Sequence, residues 1–93
     1  MRTNKEKLHA IGNYLLDRYG FRCYFKDEDS AHPSILFVED LDIDISFSPT
    51  FEQFEVKKDL HYGYTIQYFD TPLQVCHYIV TRKFEENYRN EIN

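Results

Sequence analysis

At 93 residues and 11.3 kDa the chain has room for one domain, 1–93, and one modest core, since a chain of this length buries roughly 60–65% of its unfolded surface. Few residues remain to wall off a catalytic cavity, so the composition points to binding at a surface rather than to enzymatic chemistry. No run approaches the ~20 apolar residues of a membrane span, the first residues (Met1, Arg2, Thr3, Asn4, Lys5) carry no signal-peptide pattern, and the widely spaced Cys23 and Cys76 read as reduced, buried thiols, which together indicate the cytoplasm.

The first element is a helix over residues 4–19. Leu8, Ile11, Leu15, Leu16 and Tyr19 recur at i, i+3, i+7, i+8 and i+11 along one face. Thr3 and Glu6 form a capping-box pair at its start, and Gly20 suits the left-handed cap at its end. Gly12 inside either costs about 1 kcal/mol against Ala or marks a close approach to a sheet. The period then changes to two. Phe21, Cys23 and Phe25 alternate with polar or amphipathic neighbours as a half-buried strand, and the polar residues from Asp27 to Pro33 form a loop. Residues 34–38 read as a strand that is apolar on both faces, with Glu39 and Asp40 as the turn after it. Residues 41–47 alternate without a fault, so Asp42 and Asp44 are expected side by side on one strand face, about 7 Å apart.

Pro49 ends that strand. Residues 54–57 and 62–68 follow as two more, with a turn near Lys58 and Asp59, and the second lines up Tyr62, Tyr64, Ile66 and Tyr68. Thr71, Pro72 and Gln74 open a second helix as cap, first turn and capping-box partner, with Leu73, Cys76, Ile79, Val80 and Phe84 as its apolar stripe. Short connections force neighbouring strands to pair antiparallel. The expected fold class is α+β: an N-terminal helix, an antiparallel sheet of four to five strands and a C-terminal helix, with the helices packed on one sheet face.

Charge is distributed unevenly. Residues 1–26 carry +4 and residues 56–93 carry zero, while Asp27, Glu28, Asp29, Glu39, Asp40, Asp42, Asp44, Glu52 and Glu55 give residues 27–55 a charge of −9 with no Lys or Arg. Such a stretch is either a solubilising set of loops and strand edges or a surface for a protein with a basic patch. Direct nucleic-acid binding is not expected, because backbone affinity comes from clustered Lys and Arg. Sixteen Tyr and Phe exceed the evident needs of so small a core, which places some tyrosines at an interface. Tyr62, Tyr64 and Tyr68 are the expected face of a homodimer, and a self-associating structural subunit is one alternative function.

No metal or cofactor is expected, and no catalytic residue is assigned. His9, His32, His61 and His77 fall on four elements without a ligand spacing. The run Asp40-x-Asp42-x-Asp44 lacks the glycine and the terminal glutamate of a calcium loop. Glu55-Val56-Lys57 resembles the E-x-K that closes the active site of PD-(D/E)xK nucleases. That resemblance implies Asp42 or Asp44 as the upstream acid and a small metal-dependent nuclease as the alternative function. In size, charge and aromatic content the chain is similar to the small acidic proteins with which phages and mobile elements block host enzymes, anti-CRISPR proteins among them. The similarity implies a non-enzymatic inhibitor of a nucleic-acid-binding protein.

Overall fold

The computed structural model describes residues 4–26, 34–48 and 50–92. They form α1 (Asn4–Tyr19), β1 (Cys23–Phe25), β2 (Leu36–Val38), β3 (Ile43–Ser48), β4 (Gln53–Leu60), β5 (Gly63–Phe69) and α2 (Pro72–Ile92). The strands make one antiparallel meander in the order β1-β2-β3-β4-β5. This is the α+β arrangement that the sequence periodicities predict, with five strands.

Local chemistry accounts for the helix ends. The Gly20 amide donates to the Leu16 carbonyl at 2.9 Å and the Phe21 amide to the Leu15 carbonyl at 3.2 Å, with Gly20 at φ 73°, a conformation costly to any residue with a Cβ. At the start of α2 the capping box closes reciprocally. The Gln74 amide donates to Thr71 Oγ1 at 3.2 Å, while the Asp70 and Thr71 amides donate to Gln74 Oε1 at 2.9 and 3.1 Å. The matching Thr3 cap on α1 lies outside the described residues.

Both helices pack on one face of the sheet. Leu8, Ile11 and Leu15 of α1 and Val75, Cys76 and Ile79 of α2 close over Leu36, Val38, Ile43, Ile45, Phe54 and Val56. Gly12 brings α1 close: a Cβ there would sit 3.4 Å from Leu36 Cδ1 and 3.7 Å from Cys23 Cβ. The predicted stripes hold only in part. Leu16, Tyr19, Leu73 and Phe84 are exposed, and Val75 is buried in their stead. A single rotation of each helix lets about three residues per two turns reach the sheet, and these flank that line.

Each predicted strand shifts by one to three residues at an end, and two of the shifts move charged residues. Residues 39–41 form a 3₁₀ turn that buries Leu41, and Asp42 follows in the left-handed region at φ 53°. β3 therefore starts at Ile43, and Asp42 does not share a strand face with Asp44. The chain must reverse between β2 and β3 within four residues, and an aspartate accommodates a positive φ better than most side chains. The perfect alternation arises because Leu41 is buried by the turn and not by a pleat. The turn expected near Lys58 and Asp59 lies instead at His61 and Tyr62. Lys58 stays in the strand, its Nζ donating to the Leu41 carbonyl at 2.7 Å and pairing with Glu86 at 3.4 Å.

Candidate functional site

Pleating sends alternate side chains to opposite faces, and the registers show what the face away from the helices carries. Tyr24, Phe37, Asp44, Lys57 and Ile66 stand in one row across all five strands. Ser46, Glu55 and Tyr68 make a second row, and Asp59 with Tyr64 a third. Tyr24, Tyr64 and Tyr68 are each at least half exposed on this open face.

Aromatic rings and charges interlock there. Tyr24 and Phe37 meet edge to face at 5.3 Å. Lys26 Nζ lies 4.4 Å from the Phe37 ring centre and 2.9 Å from Asp44 Oδ1. That oxygen is sealed from solvent, and the Lys26 ammonium is its counter-charge. The contact with the Asp44 carboxylate holds the pKa of the Lys26 ammonium above its usual value. On the other side of the row, Lys57 Nζ sits 4.6 Å over the Tyr64 ring.

The acidic stretch divides in three. Glu39, Asp40 and Asp42 cluster around the turn before β3, where Asp40 Oδ1 accepts a hydrogen bond from the Arg22 amide at 3.1 Å. Glu52 is in the opposite turn at φ 52°, a strand length of about 20 Å away. Asp44 and Glu55 stand between them on the open face, one of them already paired. Asp27, Glu28 and Asp29 lie outside the described residues. The tyrosines also separate: Tyr64 and Tyr68 belong to β5, whereas Tyr62 is in the turn, 91% exposed and off the strand row.

Asp44, Glu55 and Lys57 do come together on one face, as the E-x-K resemblance requires. Asp44 is engaged by Lys26, however, and the Lys57 ammonium by Tyr64. Among the described residues, no three of His, Cys, Asp and Glu converge closely enough to hold a metal ion. His9 packs beside the Phe25 ring at 6.1 Å, and His77 lines a groove near α2. Both cysteines are free. Burial pushes their thiols up to about 11, with Asp40 and then Cys76 adding to the effect at Cys23, which leaves them poor nucleophiles at neutral pH.

Alternation within β5 already aligns Ile66 with Tyr64 and Tyr68, but the sequence does not single out Phe37 or Lys26 as members of this face. The signal that finds them is register, since each reaches the site through its cross-strand partner. On the helix side, an open apolar groove of about 580 Å³ runs between the end of β5 and α2, lined by Phe69, Leu73, Gln74, His77, Tyr78 and Thr81. No helix of the described residues is long and apolar enough to cross a membrane. No protein-family model, curated protein or solved structure matches the chain.

Proposed function

We propose that the chain is a non-enzymatic protein-binding module of the cytoplasm whose docking surface is the open face of its sheet. The observation that carries this reading is a five-stranded sheet that the described residues leave uncovered on one side, with Tyr24, Tyr64 and Tyr68 exposed among alternating charges. Rigid aromatic side chains lose little conformational freedom on contact and are favoured at interfaces. The acids of the turn before β3, together with Asp59, border one end of this face and favour a partner with a basic rim. The nucleic-acid groove of another protein has that character, so an inhibitor of such a protein fits the surface. The same acids repel phosphate and disfavour direct nucleic-acid binding.

A capture experiment with three baits tests the reading. The wild type, a Tyr24→Ser/Glu55→Lys variant of the open face and a Leu16→Ser variant of the exposed α1 surface are each immobilised and exposed to lysate of the source cells. A protein held by the first and third baits and released by the second supports the proposal, and its association should slow as salt rises. Capture that survives the open-face substitutions overturns it. Cleavage of DNA by the wild type with a divalent cation, abolished by Glu55→Gln, would favour the nuclease reading, for which the shared face of Asp44, Glu55 and Lys57 is the supporting observation.

A further inference from the structure

The two edges of the sheet are built differently. β1 offers three residues between Arg22 and Lys26, short and flanked by charge as exposed edges generally are. β5 offers seven, Gly63–Phe69, with neither a charged residue nor a proline, and all but Phe69 are exposed. Leu60 and Gly63 flank a two-residue turn and so form a hydrogen-bonded pair. Alternation then directs the amides and carbonyls of Gly63, Thr65, Gln67 and Phe69 toward β4, and those of Tyr64, Ile66 and Tyr68 outward. The Asp59 amide fits this parity, since it bonds the Asp42 carbonyl on the β3 side of β4.

We infer that β5 pairs antiparallel with β5 of a second copy of this chain, across a two-fold axis at Ile66. Pairing about that residue makes the strand complementary to itself. Ile66 lies opposite its own counterpart, each Tyr64 lies opposite the other copy's Tyr68, and each Thr65 lies opposite the other copy's Gln67. The outward amides and carbonyls find partners, and the two sheets become one of ten strands with a doubled open face. The isologous geometry closes at two copies and leaves β1 at both outer edges, where the charges stand. On the helix side, Phe69 at the end of this strand also lines the apolar groove against α2.

The area places this interface at the small, reversible end of the range. Tyr64, Ile66, Tyr68 and Leu73 are exposed by 59, 37, 54 and 71%, which at ~200 Å² per large side chain leaves roughly 400 Å² of apolar-rich surface. A standard interface buries ~800 Å² per partner. The strand backbone, Thr65 and Gln67 supply part of the difference, so the dimer is of micromolar affinity rather than tighter. Tyr64 and Tyr68 belong both to this edge and to the open face, but the variant that tests the partner-binding reading alters Tyr24 and Glu55, on β1 and β4, so the failure of one reading is distinguishable from the failure of the other.

The experiment is sedimentation of the wild type and two variants at about 100 µM, well above a micromolar Kd. The wild type is expected at twice the 11.3 kDa of one chain, dissociating on dilution. Ile66→Glu places a carboxylate across from Lys57 within its own sheet and against its own copy at the axis. It should run as a monomer with an unchanged thermal melt. Ile66→Cys should cross-link to a disulfide dimer on mild oxidation, because residues opposed across an antiparallel pair have Cα atoms ~5.5 Å apart, whereas Tyr62→Cys, about 13 Å along the strand from the axis, should not. A monomeric wild type overturns the inference, as does a dimer that persists in Ile66→Glu or a failure of Ile66→Cys to cross-link.

Discussion

The two faces of the sheet are made by the same strands, often by neighbouring residues, and they have opposite physical characters. On the helix side, Ile43, Ile45, Phe54 and Val56 are fully enclosed and carry no polar atom in their side chains. One residue along each strand, Asp44, Glu55 and Lys57 join Phe37 and three tyrosines in a layer that no helix covers. The first face derives its energy from removing apolar area from water. The second is held by ring contacts, cation–π contacts and the Lys26–Asp44 ion pair, which solvent partly screens. Folding therefore rests on one face, which leaves the other free to vary its chemistry.

The largest expected contrast is between Phe54 and Tyr68. Phe54 is 2% exposed and meets Phe47 edge to face at 5.0 Å, so Phe54→Ala should cost about 3–5 kcal/mol in urea unfolding. Tyr68 is 54% exposed, and Tyr68→Ala should cost less than ~1 kcal/mol. An equal loss at Tyr68 would mean that the open face is part of the folding core.

A smaller effect belongs to the polar pair within the open face. Lys26→Ala leaves Asp44 Oδ1 sealed from solvent without a counter-charge. The expected loss is about 1 kcal/mol, toward the low end for an unsatisfied group because Lys26 is itself partly solvated. Adding Asp44→Ala in that background should recover part of the loss. If the double variant is no more stable than Lys26→Ala, the pair does not carry the energy assigned to it.

The helix side has its own titration. The thiols of Cys23 and Cys76 ordinarily ionise near 9.0, and burial raises them to about 11 in the folded chain. The folded state thus keeps protons that the unfolded state loses between those values, so this contribution is full below pH 9 and is lost as pH rises through 11. Tyrosines and lysines titrate in the same range. The check is therefore a difference: the decline in the urea midpoint between pH 9 and 11 should be shallower in Cys76→Val than in the wild type.

Much of the fold is legible in the sequence because its signals are local. Thr71, Pro72 and Gln74 announce α2, Gly20 ends α1, and alternating residues mark the strands. What escapes a local reading is anything decided by a partner distant in the chain. Leu41 reads as a strand residue until the 3₁₀ turn that buries it is seen, and the β4–β5 turn shifts to His61 and Tyr62 because Lys58 finds the Leu41 carbonyl and Glu86. The candidate surface is legible only in composition. A run of acids predicts charge without predicting that Asp44 is paired across two strands, while Glu39, Asp40 and Asp42 gather at one end of β3 and Glu52 at the other.

That division yields the smallest and most discriminating prediction, the comparison of Asp42 with Asp44. Two residues apart in an alternating run, they would behave alike if both projected from one strand. Asp42 instead sits exposed at φ 53° beside Glu39 and Asp40. Asparagine accepts a left-handed backbone at least as readily, and removing a charge relieves repulsion, so Asp42→Asn should leave stability within ~0.5 kcal/mol or raise it slightly. Asp44→Asn keeps the shape but removes the charge facing Lys26, so it should destabilise and return the Lys26 ammonium toward its ordinary pKa, readable by NMR titration. Equal responses at the two positions would restore the single-strand picture, and with it an acidic ridge running the length of β3. Opposite signs would identify Asp42 as a free charge of the rim and Asp44 as a structural member of the face.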